Sequence, residues 1–112
     1  MTPCLFCRIA RGEIPANIVS QDPSFVAFRD INPQAPTHVL VIPREHMATL
    51  NEVTDEALLG ALLAYARETA RSLGLAERGY RLIINTNADA GQTVFHLHAH
   101  ILGGRAMQWP PG

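Results

Sequence analysis

No lysine occurs in this 112-residue chain, so all nine of its basic residues are arginine. With ten acidic residues the net charge is only -1, which excludes the broad positive field that draws nucleic acid or an acidic membrane surface. No run approaches the roughly 20 apolar residues that cross a bilayer. The start, Met1-Thr2-Pro3-Cys4, has neither the positive region nor the apolar core of a secretory signal. There is also no low-complexity tract, repeat or linker, so residues 1–112 are read as one domain with a reducing cytoplasm as its default setting. In that compartment the only two cysteines, Cys4 and Cys7, are expected as metal ligands or free thiols rather than a disulfide.

What is present is an ordinary globular mixture, 47% hydrophobic and 17% charged, which excludes a disordered chain. Cys4 to Arg11 reads as a short helix stopped by Gly12 and Pro15. Asn17 to Gln21 and Phe25 to Arg29 read as strands around the Asp22-Pro23-Ser24 turn. The two prolines of Asn32-Pro33-Gln34-Ala35-Pro36 exclude regular structure, and His38 to Ile42 follows as a β-rich run ended by Pro43.

Between Asp55 and Leu73, Leu58, Leu59, Leu62, Leu63, Ala66, Ala70 and Leu73 recur at helical spacing, giving a long helix with one apolar face. Thr54 is its expected cap, and Gly74 its expected left-handed stop. Tyr80 to Thr86 and Val94 to Leu102 read as two strands joined by a polar loop over residues 87–92. The sum is an α+β fold: an antiparallel sheet of about five strands, one long helix and a short N-terminal helix.

The chemistry concentrates in His96-Leu97-His98-Ala99-His100, which holds three of the five histidines. On a strand these imidazoles share one face, while Leu97, Ala99 and Ile101 share the other. Three readings are open. One is a polar sheet face that happens to be rich in histidine. The second is a metal site, since imidazole is the commonest metal ligand. The third is covalent catalysis at phosphorus, in which a neutral imidazole attacks through one nitrogen while an acceptor holds a proton on the other.

His-Leu-His-Ala-His-Ile-Leu resembles the signature of the histidine triad (HIT) family. The likeness extends to Phe6, to residues 12–16, 28–36 and 38–43, to Asn85 and Gly91-Gln92-Thr93, and to the ending from Gly103 through Trp109-Pro-Pro-Gly. Those blocks resemble the nucleotide-binding Hint branch. The resemblance implies that His98 attacks the α-phosphorus and forms a nucleotidyl-histidine intermediate released by water. It implies that His38, His96 and His100 orient that ring and manage protons. It puts the base among Phe6, Ile9, Ile14, Phe28, Ile31 and Leu40, the ribose on Asp30, and the phosphate near Asn85, Gly91, Gln92 and Thr93. No helix pattern or Lys-Ser/Thr follows Gly91, so this is not a P-loop. Ala99 and Thr93 replace residues that relatives often carry, with an expected consequence for packing at the first and added bulk beside a retained hydroxyl at the second.

Cys4-Leu-Phe-Cys7 has metal-ligand spacing without a second pair. Some relatives resemble an arrangement in which Cys4, Cys7, His46 and His96 would hold a structural zinc away from the phosphorus. The resemblance further implies no cofactor for catalysis, a purine nucleotide substrate (an AMP or GMP conjugate), and a homodimer whose Trp109–Gly112 tail lies near the partner's active site. The leading function is therefore hydrolysis of nucleoside phosphoramidates or related nucleotidyl conjugates. The alternatives are a dinucleoside polyphosphate hydrolase, a nucleotide-binding scaffold, and a pure metal-binding module.

Overall fold

The structure, a computed structural model, describes residues 4–112; the expectations that fall on residues 1–3 lie outside it. Helix α1 (Leu5–Ala10) is followed by strands β1 (Ile18–Gln21), β2 (Phe25–Arg29) and β3 (Thr37–Pro43). Then come helix α2 (Glu56–Ser72), strand β4 (Tyr80–Ile83), the single helical turn α3 (Asn87–Ala90) and strand β5 (Ala99–Gly103). Among the described residues, the strands form one antiparallel sheet in the order β1-β2-β3-β5-β4. This is the α+β architecture expected from the sequence.

Both central strands are buried on both faces, so β2 and β3 read as unbroken apolar runs rather than as alternating ones. The odd set Phe25, Ala27, Val39, Val41 and Ile101 packs with Leu62, Ala66 and Ala70 of α2. The even set Val26, Phe28, Leu40 and Ile42 packs with Phe6 of α1. Helix α2 therefore covers one face of the sheet. The six-residue α1 covers the other only in part, and a cleft remains beside it.

Besides β4, which ends at Ile83 rather than Thr86, local details depart from the sequence reading in four places. Asp55, not Thr54, caps α2, its carboxylate accepting the Ala57 amide at 3.0 Å. A carboxylate also suits the positive end of the helix dipole. Leu63 lies outside the buried face and is 49% exposed, whereas Thr69 is buried, its hydroxyl donating to the Tyr65 carbonyl at 2.8 Å. Residues 87–90 of the expected loop wind into α3, closed by Gly91 at φ 84°. That left-handed value favours glycine.

The fourth departure bears on the chemistry. The final strand begins at Ala99 rather than Val94. The last β3–β5 partners are Val41 and Ala99, and the next position on β3 that could donate outward is Pro43, which has no N–H. Residues 94–98 therefore leave the ladder and find other bonds: the Leu97 amide donates to the Met47 carbonyl at 2.7 Å, and Gln92 Nε2 donates to the Val94 carbonyl at 3.1 Å. Gly74 terminates α2 at φ 79°, as the sequence suggests.

The cap assignment has a direct check. Asp55→Ala is expected to cost about 1 kcal/mol in urea unfolding, while Thr54→Ala leaves the midpoint unchanged. The reverse pattern would return the cap to Thr54.

Candidate active site

The cleft beside α1 has a volume of about 320 Å³. Among the residues expected there, Phe6, Ile9, Ile14, Phe28, Asp30, Ile31, Leu40, Thr93, His98 and His100 line it. Ile31 is fully exposed at its mouth, as an apolar rim that a flat ring could cover. Sequence reasoning missed Leu5, Pro15, Ala16, Arg29 and Val94 as further lining residues. Leu5, Pro15, Ala16 and Val94 are apolar, as core residues are, and Arg29 is one of nine arginines with no motif in the sequence to mark it.

His38, His96, Asn85, Gly91 and Gln92 do not line the cleft. His38 stands behind it, buried and bonded to His100. Asn85 is half-buried. Gln92 is spent as a strut: its Oε1 accepts the Asn87 amide at 2.8 Å, and its Nε2 donates to the carbonyls of Ala48 and Val94. Its side chain thereby shapes the loop that presents Thr93.

The three imidazoles do not form one row. His98 and His100 are neighbours with ring centroids 5.0 Å apart, but the ring of His96 packs against His46, also at 5.0 Å. The edge-on ring of Phe6 fills the other side of His98 at 5.1 Å. His96, three residues before the start of β5, lies outside the ladder, and its ring turns away from the other two.

Hydrogen-bond partners fix the tautomers. His98 Nδ1 lies 2.6 Å from the His96 carbonyl, which can only accept, so the proton of neutral His98 is on Nδ1. Its Nε2 then carries a free lone pair. His96 Nε2 lies 2.7 Å from the Pro43 carbonyl, so that nitrogen donates and Nδ1 holds the lone pair. The Gln34 amide donates to His38 Nδ1 at 3.0 Å, leaving the His38 proton on Nε2, which donates to His100 Nδ1 at 2.9 Å. His100 is thus left with an Nε2–H to offer. Asp30 Oδ2 stands 3.5 Å from His38 Nε2, while Asp30 Oδ1 accepts the Asn32 amide at 2.8 Å.

Burial favours the neutral imidazole, and it pushes His38, His96 and His98 below the ordinary histidine range. The Asp30 carboxylate opposes this at His38 and His98. At His100, burial is joined by the neighbouring His98 and His38, and the pKa falls to about 4. A neutral pair of rings, one with a lone pair and one with an N–H, is therefore available across the whole neutral range.

A second cluster lies outside the cleft. The Sγ atoms of Cys4 and Cys7 and the Nδ1 atoms of His46 and His96 all fall within 4.8 Å of one another. The separations are 3.4 Å for Cys4–His96, 3.5 Å for Cys7–His96, 3.3 Å for Cys7–His46 and 3.2 Å for His46–His96. A tetrahedral zinc with its usual bond lengths requires S–N edges of about 3.5 Å and N–N edges of about 3.3 Å, so the donor set fits. Burial first, then the hydrogen bond and charge of Cys4, push the Cys7 thiol above its ordinary value. A cation would reverse that by favouring the thiolate. Cys4 also accepts the Cys7 amide at 3.4 Å as the cap of α1. A further group, Asp30 with His38 and His100, is close enough to share an ion, but its histidine nitrogens are already paired with each other.

The HIT domain pattern matches residues 11–107. The chain is 54% identical over 110 residues to a HIT-like protein of Synechocystis, covering 96% of each. It is 50% identical over 105 residues to the purine nucleoside phosphoramidase of Escherichia coli, covering 92% of this chain and 88% of that protein. A HIT family hydrolase from Legionella pneumophila superposes with a TM-score of 0.95 at 55% identity, over 98% of this chain and all of that one. The chain belongs to the HIT family and is a hydrolase of that family.

The electrostatics give a checkable pH dependence. The folded-state pKa of His100 lies below the ordinary value, so between about 6.5 and about 4 the unfolded chain binds a proton that the folded one refuses. The groups facing it are His98, His38 and Asp30. Its contribution to stability is present above pH 6.5 and lost as pH falls toward 4. Nitrogen-15 NMR should show His100 titrating near 4, with the melting temperature falling over the same interval. Titration of His100 near 6.5 would refute this.

Proposed function

We propose that this hydrolase cleaves nucleoside 5'-phosphoramidates, with purine conjugates of AMP or GMP as its substrates. The observation that carries the reading is the His98 ring, which keeps its proton on Nδ1 against the His96 carbonyl and so offers Nε2 to a phosphorus atom in the cleft. The 50% identity to a protein named purine nucleoside phosphoramidase supports the substrate class.

In this reading the base lies between Phe6, Phe28, Leu40, Ile9, Ile14 and the exposed Ile31, and Asp30 accepts hydrogen bonds from the ribose hydroxyls. His98 Nε2 attacks the α-phosphorus as the bond to the leaving amine breaks. His100, whose Nδ1 accepts from His38 and whose tautomer is thereby set through His38 by the Gln34 amide, lines the same cleft and offers Nε2–H as a hydrogen-bond donor to the departing nitrogen; the amine takes its proton from solvent, and the water of the second step returns it. Water then cleaves the phosphorus–His98 bond and releases the nucleoside monophosphate. Thr93 supplies a hydroxyl at the phosphate end of the cleft, with Gly91 and Gln92 shaping the loop around it. Catalysis needs no cofactor.

His98→Ala is expected to reduce turnover of an adenosine phosphoramidate by at least about 10³-fold, while the AMP dissociation constant moves less than about threefold, within the ~0.7 kcal/mol such a change represents. Rapid quench of the unaltered protein should trap AMP on His98. Turnover surviving in the variant would remove this histidine from the attack.

We further infer that Cys4, Cys7, His46 and His96 hold a structural zinc, a closed four-ligand site with no open position for substrate. The protein purified without chelator is expected to carry about one zinc per chain by mass spectrometry, in keeping with a site of this affinity class. A metal-free protein would end this assignment. In the same reading the chain acts as one HIT domain of the reducing cytoplasm, where Cys4 and Cys7 stay unbridged and able to hold the metal. A homodimer with the Trp109–Gly112 tail near the partner's cleft belongs to the same reading, and in the single chain Trp109 is left 83% exposed.

A further inference from the structure

His96 uses three of its atoms at once. Its Nε2–H is held by the Pro43 carbonyl, its Nδ1 faces Cys4, Cys7 and His46, and its carbonyl accepts the Nδ1–H of His98. The ring is fully buried. Because residue 96 lies before β5, no ladder bond fixes its peptide. What holds it is its own side chain and the Leu97 amide on the Met47 carbonyl, and Met47 directly follows His46. Because the ring is anchored at both nitrogens, a backbone rotation that turned the carbonyl away from His98 would also have to pull the ring off its partners.

The same cluster reaches the cleft by a second route. Cys4 and Cys7 bracket Leu5 and Phe6, both of which line it. Phe6 lies edge-on to His98 at 5.1 Å, to His96 at 6.0 Å and to Phe28 at 5.4 Å. A helix of six residues is far below the roughly 12 needed for stability alone, so α1 depends on its anchors.

We propose that Cys4, Cys7 and His46 are positioning residues for the reaction, and not merely a staple for the fold. By sharing a metal cation with His96 Nδ1 they fix the carbonyl that sets the His98 tautomer, together with the Phe6 wall on which that ring rests. Once the clamp is lost, the His98 proton is free to move to Nε2, the tautomer with no lone pair toward the cleft. This rests on the hydrolase reading above and adds three residues that touch no substrate.

The test uses the full chain in two metal-free forms: unaltered protein stripped with a chelator, and the His46→Ala variant, since His46 is exposed and outside the cleft. Bound zinc, circular dichroism, kcat and KM for an adenosine phosphoramidate, and the nitrogen-15 shifts of His98 are read for each. Both forms are expected to stay folded and to lose at least about tenfold in kcat, equivalent to ~1.4 kcal/mol at the transition state, with a smaller change in KM. The His98 shifts should move from a pure Nδ1–H pattern to an averaged one, and added zinc should restore the stripped protein but not the variant. Unchanged His98 shifts would overturn the proposal, whether or not activity falls. So would a protein that binds no zinc, or one that cannot fold without it, since the cluster would then be a staple alone. Absence of phosphoramidate turnover in the zinc-loaded protein would instead sink the hydrolase reading, leaving the nitrogen shifts to decide this one.

Discussion

The hydrogen bond from His98 Nδ1 to the carbonyl of His96, two residues earlier, is the constraint on which the site depends. A neutral imidazole has one proton and two nitrogens, and in water it places that proton on either. A carbonyl 2.6 Å from Nδ1 removes the choice. It does so without adding a negative charge, which would favour the imidazolium and cost the lone pair. Burial works in the same direction, since a low-dielectric setting penalises the charged ring.

That bond lies where the chain is outside the ladder, just before β5 begins. Were residues 94–98 part of the ladder, the carbonyl of His96 would be turned toward a neighbouring strand or solvent. Pro43, which cannot donate, ends the pairing at Val41 and Ala99 and leaves its own carbonyl for His96 Nε2. Pro43 thus stands where the β3–β5 pairing stops, and its carbonyl holds the His96 Nε2–H so that Nδ1 is left to face the cysteines. The cleft follows from a second asymmetry. The 17-residue α2 packs across β2, β3 and β5 on its face, while the six-residue α1 leaves room for a ligand on the other.

Much of this was legible in the sequence. The helical spacing from Leu58 to Leu73, the Asp22 turn and the glycine stop at Gly74 come from local rules, and local rules held there. The alternation of histidine with apolar residues rightly separated the imidazoles from Leu97 and Ile101, which face α2. It failed to see His96 turn away, because period-two reasoning assumes a continuous strand, and the interruption depends on a proline more than 50 positions upstream. The Thr54 cap was a close contest between adjacent residues. Leu63 matched the helical stripe but is left 49% exposed and outside the core cluster. The Gln34 amide and the Pro43 carbonyl are backbone groups, and no side-chain pattern announces them. Phe28, Leu40 and Asp30 were reached through family likeness alone, since cleft walls and core walls use the same residues.

A high-resolution structure of the protein with a non-hydrolysable adenosine phosphoramidate analogue tests the central claim most directly. The account requires the α-phosphorus roughly 3–3.5 Å from His98 Nε2, with the leaving nitrogen on the far side and the Nδ1–His96 bond intact. A phosphorus that faces another histidine, or a His98 ring flipped so that Nδ1 points into the cleft, would contradict it.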